Sequence, residues 1–428
     1  MKPAIPALRH DMTIALLGGF AAFGAYFSMY AFRKPFAAGM FEYGDHLPFG
    51  IDYKSALLIA QVVGYALSKW IGIKIIAEFG RKGRAGAILG LIGLSWVALL
   101  LFAILPAPWG VLCLLLNGLP LGMIWGLVFS YVEGRRTSEL IGAMLCASFI
   151  LSSGVVKSVA VLLMAQGVSV HWMPAATGAL FVPLLLVCLW MLESLPPPDA
   201  RDEAERTVRV PMNTAERRAF LQRNGLPMLL LIAGYVLLTA IRDFRDNFAV
   251  ELWTALGFGG VASVFSASEL PVAVLALAGL GALMLVRDNM RALLAMHGVI
   301  LGGALLMGLS TIAFQAGLIA PLPWMILTGA GLYLGYTPFN AMLFDRMIAA
   351  LGRAGNAGFL IYVADSSGYA GSVALLLVRS IAAPRMDWLP FFIECVYGTT
   401  IVVSLLTLLS MAYFLRRAGQ TDMTPSPA

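Results

Sequence analysis

The sequence predicts an all-α polytopic membrane protein with twelve transmembrane helices in two pseudo-symmetric six-helix bundles, and three observations predict it. Of its 428 residues, 60% are hydrophobic and 12% charged, with a mean hydropathy of +0.85, whereas a soluble domain keeps about 25% charged residues. Twelve apolar runs each approach the roughly 20 residues that a helix needs to cross a bilayer. The one long polar interval, 196–225, has six runs on either side.

The first run, 12–33, follows a short segment carrying Lys2 and Arg9 and ends in Arg33-Lys34. That ending is no small-residue cleavage site, so a retained span is expected. Runs 54–77, 85–104, 108–131, 139–165 and 172–194 complete an N-terminal bundle over 1–195. The interval 196–225 opens on three prolines and reads as a cytoplasmic central loop. Runs 226–247, 261–285, 293–315, 322–344, 355–379 and 389–415 make the C-terminal bundle, 226–428.

The halves echo one another. Gly118-Leu-Pro-Leu-Gly122 in the fourth run matches Gly331-Leu-Tyr-Leu-Gly335 in the tenth, and Gly24…Arg33 in the first matches Gly234…Arg242 in the seventh. Repeated halves with a site between them are a recurring transporter plan.

Basic residues set the orientation. With both termini inside, twenty of the 29 Lys and Arg fall in cytoplasmic segments and three, Lys54, Arg379 and Arg385, in outside segments. The positive-inside rule therefore places both termini in the cytoplasm, and the cell membrane, as a bacterial inner membrane, is the expected location. The net charge of +6 follows from these loops, and no nucleic-acid partner is expected.

The remaining six cations, Arg33, Lys34, Lys69, Lys157, Arg242 and Arg245, lie in spans with four acids, Asp243, Asp246, Glu269 and Asp365. A charge at mid-membrane costs about 3 kcal/mol, so these groups are expected to be paired or to line a wet cavity. Helical spacing puts Tyr26, Tyr30 and Arg33 on one face, Gln61, Tyr65 and Lys69 on another, and Ser153 with Lys157 on a third. Tyr235, Thr239, Arg242 and Asp246 form a similar stripe, as do Asp365, Ser366 and Tyr369. Arg242 is expected to pair with Asp246 or Asp243; Lys157 is open between solute contact and a structural pair with Asp365 or Glu269, and Lys34 between the interior and snorkelling outward. Arg245 is open between span and loop, and Asp365 between proton carrier and counter-ion.

Glu78, Gly80, Arg81 and Lys82 form a tight charged turn after the second run, read as a gating and topology feature. Cys113, Cys146, Cys188 and Cys395 lack metal-ligand spacing and read as small buried side chains. The four histidines are scattered and no catalytic constellation stands out, so neither an enzyme nor a cofactor or metal site is expected.

Two six-span halves, the long central loop and the Glu78…Gly80-Arg81-Lys82 turn resemble the major facilitator superfamily. Within it, Tyr26-x-x-x-Tyr30-x-x-Arg33-Lys34-Pro35-Phe36 and Gly64-Tyr65-Ala-Leu-Ser68-Lys69 are similar to the organophosphate:phosphate antiporters. That resemblance implies that Arg33 and Arg242 clamp a phosphate from the two halves and that Lys69 is a pore lysine.

The expectation is a monomeric secondary transporter in the lipid bilayer that moves a small organic anion by alternating access. Arg33, Arg242, Lys69 and Lys157 would bind it, with Tyr26, Tyr30 and Tyr65 orienting it. The alternative is a proton-coupled symporter or exporter of a neutral or cationic solute that uses Asp365, Glu269 or Asp243, with Asp246 as a further counter-ion.

Overall fold

The structure is a computed structural model describing residues 5–41, 51–78, 83–132, 138–196, 214–351, 357–382 and 386–421. Every expected span is helical. The first six are α1 (Ile5–Tyr30), α2 (Tyr53–Glu78), α3 (Arg84–Ile104), α4 (Ala107–Leu121) with α5 (Ile124–Phe129), α6 (Ser138–Ala165), and α7 (Met173–Leu180) with α8 (Val182–Glu193). α9 (Thr214–Asn247) is followed by the short α10 (Ala249–Ala255) and then by α11 (Ser263–Met284) and α12 (Asn289–Gln315). α13 (Pro321–Ala341) with α14 (Leu343–Ala350), α15 (Ala357–Ala382) and α16 (Trp388–Thr421) complete the set. Among the described residues, eight helical runs are long and apolar enough to cross a membrane, and the bent pair α7–α8 makes a ninth if it is counted as one span. α2, α13 with α14, and α15 take the other three expected spans.

Prolines explain most of the breaks. Pro183, in the first turn of α8, follows the bend of 41° that separates α7 from α8. Pro338 removes a backbone donor near the end of α13, which stops at Ala341. Pro35 disfavours helix at the residue before it, and α1 ends at Tyr30, followed by turns and a 3-10 helix over Pro35–Ala38. Hydropathy misplaces one boundary: α9 begins at Thr214, inside the interval expected to be loop, because a polar stretch can continue a helix beyond its apolar part.

The chain forms two compact units. The first comprises Met1–Thr207, Phe244–Ala273 and Val373–Leu389, and the second Val208–Asp243, Val274–Ser372 and Pro390–Ala428. In the first, α1 runs beside α6 and α8, and α4 beside α2 and α3. α1 and α6 have 67% of their apolar windows buried, α3 only 33%. Leu89, Leu94, Val97 and Leu101 of α3 are exposed, as a lipid-facing helix requires, so the polar residues of α1 and α6 sit on inner helices.

Glycine fixes how closely α2 and α4 approach. A Cβ on Gly118 would overlap the Gln61 carbonyl oxygen, and one on Gly64 the carbonyl oxygen of Leu115. The two backbones therefore touch directly, as small residues permit in membranes. In the second unit, Gly303 of α12 and Gly331 of α13 meet in the same way. The echo between Gly118 and Gly331 marks close helix contact in both halves, on different partner helices.

Gly118→Ala is therefore expected to cost about 2–3 kcal/mol through overpacking. Gly90→Ala, where nothing lies within 4 Å of the added carbon, should be neutral or stabilise by up to about 1 kcal/mol. Thermal unfolding of the two purified variants in detergent checks the difference, and equal melting temperatures would contradict it.

Candidate functional site

The first cluster grows out of the end of α1. After Tyr30 the backbone tightens: the amides of Ala31, Phe32 and Arg33 bond to the carbonyls three residues back, at 3.1, 3.0 and 3.0 Å. The helical register that would align Arg33 with Tyr26 and Tyr30 thus stops short of it, yet the turn delivers its side chain to the same aromatic surface. Arg33 is 4% exposed, and its guanidinium carbon lies 3.8 Å from the centre of the Tyr65 ring and 5.8 Å from that of Tyr30. Lys69 Nζ lies 5.6 Å from the same Tyr65 ring. The hydroxyls of Tyr26 and Tyr65 are 3.4 Å apart, and the rings of Tyr26 and Tyr30 meet edge to face at 5.5 Å. A desolvated cation over an aromatic face gains about 2 kcal/mol, which offsets part of the cost of burying it. Five of the expected binding residues, Arg33, Lys69, Tyr26, Tyr30 and Tyr65, are thus assembled in one place.

The second cluster corrects three expectations. Asp246 does not pair with Arg242; it forms ion pairs with both Lys34 and Lys157 and accepts the Ser153 hydroxyl. Lys34 does not snorkel. It is 4% exposed and also donates to Asn247 Oδ1 at 2.8 Å. Lys157 goes to neither Asp365 nor Glu269, and its ammonium also donates to the Asp246 carbonyl at 2.6 Å. The physical reason is shared: the turn after α1, together with α6 and the end of α9, holds two ammonium groups where water cannot reach them, and a buried ammonium requires a carboxylate partner.

Beside it, Arg245 is buried and pairs with Glu269 at 2.7 Å, so it belongs to the helix and not to a loop. Lys54, expected in an outside segment, lies buried in the first turn of α2, paired with Glu251 at 2.5 Å and donating to the Ala37 carbonyl at 2.9 Å. A Cβ on Gly154 would strike the Phe265 carbonyl and Glu269, so glycine brings α6 against α11 here.

The second unit holds the third cluster. Arg242 Nη2 lies 2.7 Å from Asp243 Oδ1, and the guanidinium carbon 4.3 Å from the centre of the Tyr336 ring. Asp243 also accepts the Ser372 hydroxyl at 2.7 Å. Tyr235 donates to Asp365 and stacks on Tyr336, with ring centres 5.1 Å apart. Sequence spacing found Arg242, Asp243, Tyr235 and Asp365 but missed Tyr336 and Ser372, which come from other helices. The side chain of Glu78 and the residues Gly80, Arg81 and Lys82 of the charged turn lie outside the described residues. The four cysteines form no disulfide, and Cys113, Cys146 and Cys188 are buried.

A family model described as "Family of unknown function (DUF5690)" matches residues 35–417. No curated protein matches the sequence. Among solved structures, the chain is similar to the nucleoside transporter NupG at a TM-score of 0.62 and 13% identity, covering 93% of this chain and 98% of that one. Similarity to the inward-open xylose transporter XylE from E. coli has a TM-score of 0.61 at 12% identity, covering 94% and 95%. A bacterial homologue of the human drug peptide transporters PepT1 and PepT2 is similar at a TM-score of 0.58 and 16% identity, covering 95% and 98%. The fold is thus the twelve-helix major facilitator fold, and the chain is a multi-pass membrane protein.

Asp246→Asn leaves two buried ammonium groups facing an amide, and a fall of about 3–5 kcal/mol in stability is expected. Adding Lys157→Met should recover part of it. Melting temperatures of the single and double variants check this, and a double variant no more stable than Asp246→Asn would contradict the pairing.

Proposed function

The chain belongs to DUF5690, a family whose description specifies no substrate, and on the chemistry of its buried groups we propose that it is a secondary transporter moving a small organic anion across the membrane by alternating access. The carrying observation is the arginine stacked on tyrosine: Arg33 lies buried on Tyr65 with Lys69 at the same ring.

Guanidinium groups bind carboxylates and phosphates through paired donors, which makes Arg33 the chief contact, with Lys69 assisting. Arg242 is the candidate cation of the second unit, released from Asp243 when an anion replaces that carboxylate. Lys157 joins them when Asp246 lets go. Tyr26, Tyr30 and Tyr65 orient the solute. The resemblance to organophosphate:phosphate antiporters makes phosphorylated solutes the first class to test. The segments 1–195 and 226–428 are the proposed moving halves, in a bacterial inner membrane with both termini in the cytoplasm.

A second reading rests on Tyr235, whose hydroxyl donates to Asp365. A carboxylate bonded to a phenol can take and release a proton, and one protein of similar structure is a D-xylose–proton symporter. Under that reading Asp365, Glu269 or Asp243 titrates and the solute is neutral or cationic.

A thermal-shift series with inorganic phosphate, glycerol phosphate and dicarboxylates separates the two. A bound anion at 100 times its dissociation constant raises stability by about 2.7 kcal/mol. Arg33→Gln, which removes charge-assisted hydrogen bonds, should weaken binding by about 30-fold or more. Transport in liposomes that requires a proton gradient, dies with Asp365→Asn and survives Arg33→Gln would overturn the anion reading.

A further inference from the structure

The tight turn after Tyr30 creates a problem that the cation cluster does not solve. A helix that stops inside a membrane protein leaves carbonyl groups without their helical partners, and no water is at hand to satisfy them. Two side-chain amides from other helices do so here. Asn117 of α4 donates Nδ2 to the Phe32 carbonyl at 3.0 Å, and Gln61 of α2 donates Nε2 to the Arg33 carbonyl at 3.0 Å.

The amides are themselves locked. Gln61 Nε2 also donates to Asn117 Oδ1 at 2.7 Å, and Asn117 Nδ2 reaches the Ser95 hydroxyl at 2.6 Å and the Ser95 carbonyl at 3.2 Å. Asn117 is 0% and Gln61 2% exposed. Their helices cannot drift, because Gly118, the residue after Asn117, packs against the backbone carbonyl of Gln61 itself. Tyr65 lies one helical turn beyond Gln61, so a single turn of α2 grips Arg33 at two points, its backbone carbonyl through Gln61 and its guanidinium through the Tyr65 ring.

We propose that Gln61 and Asn117 are positioning residues that fix the broken end of α1 and thereby aim Arg33 at the anion. The inference about the anion rests on the proposed function; the inference about aim does not. With both carbonyls of the Phe32–Arg33 stretch pinned, the direction of the Arg33 side chain is set before any solute arrives. Binding then requires little reordering of the site. Gln61 and Asn117 touch the arginine's backbone and reach the solute only through it.

The test uses Gln61→Leu and Asn117→Leu in the full-length protein, read in two ways. The first is thiol labelling: Arg33→Cys is treated with a methanethiosulfonate reagent and modification of its peptide is timed by mass spectrometry. Lys69→Cys, two turns beyond Gln61 on α2, serves as the control. Gln61→Leu should change the labelling rate at position 33 by about fivefold or more, the loss of one buried hydrogen bond. The rate at position 69 should move by less than about twofold. Rates unchanged at both positions, or altered together, overturn the proposal. The second readout is phosphate binding by thermal shift, each variant against its own ligand-free melting temperature: Gln61→Leu, which also melts lower for its two lost hydrogen bonds, should weaken binding about tenfold. An unaltered phosphate affinity overturns the aiming role. If the parent protein shows no shift with phosphate or any other anion, the anion reading falls, and the labelling rates still decide whether the amides hold residue 33. Should Asn117→Leu fail to fold, Gln61→Leu, which removes fewer bonds, carries both measurements.

Discussion

A backbone carbonyl in a membrane interior has to be bonded within the protein, and the neighbourhood of Arg33 is arranged around that requirement. α1 stops at Tyr30, and the carbonyls of Phe32 and Arg33 then need donors from elsewhere. Asn117 and Gln61 provide them, on helices that glycine brings into backbone contact. A continuous helix would have satisfied every carbonyl itself but carried residue 33 onward along its axis. The break costs local hydrogen bonds and gains a cation placed on an aromatic face, with its approach fixed by groups that have no other role in the site.

The buried charges follow the same logic at a larger scale. Lys34 and Lys157 converge on Asp246, Lys54 meets Glu251 and Arg245 meets Glu269, all in one unit. None of these pairs can be weighed as a simple gain, because desolvation of each ion offsets most of the attraction. Their effect is on specificity of arrangement. All but Arg245–Glu269 join segments distant in sequence, and separating any one strands a charge in a dry interior. Lys34 and Lys157 share one carboxylate, so loss of Asp246 strands both at once.

Much of this was legible in the sequence, and what was hidden has a common cause. All twelve spans could be read from run length alone, because the bilayer fixes how many apolar residues a helix needs. The pairing of Lys69 with Tyr65 could be read from helical spacing, since both lie on α2, whereas the ring nearest Arg33 is the same Tyr65, reached from another segment. Partners across helices could not. Asp246 meets Lys34 from more than two hundred residues away, and spacing within α9 instead offered Arg242, one turn back. The snorkelling open to Lys34 assumed that a charge near a span's end turns outward; a carboxylate waiting inside reverses that choice. Asn117 did leave a mark, a lone amide in the apolar run Leu114-Leu-Leu-Asn-Gly-Leu. What the mark meant depended on where α1 breaks, which no periodicity reports.

The unit boundary in α9 falls between Asp243 and Phe244, within one turn that carries Arg242, Asp243, Arg245 and Asp246. Arg242 and Asp243 engage Tyr336 and Ser372 of the second unit, while Arg245 and Asp246 engage Glu269, Lys34 and Lys157 of the first. Each helical residue adds about 100° of rotation and 1.5 Å of rise. A single residue inserted between Arg242 and Asp243, or between Arg245 and Asp246, would swing one member of that pair off its partners within its own unit. The length of this stretch is therefore as much a part of its chemistry as its composition, and it should accept exchanged side chains more readily than an inserted or deleted residue.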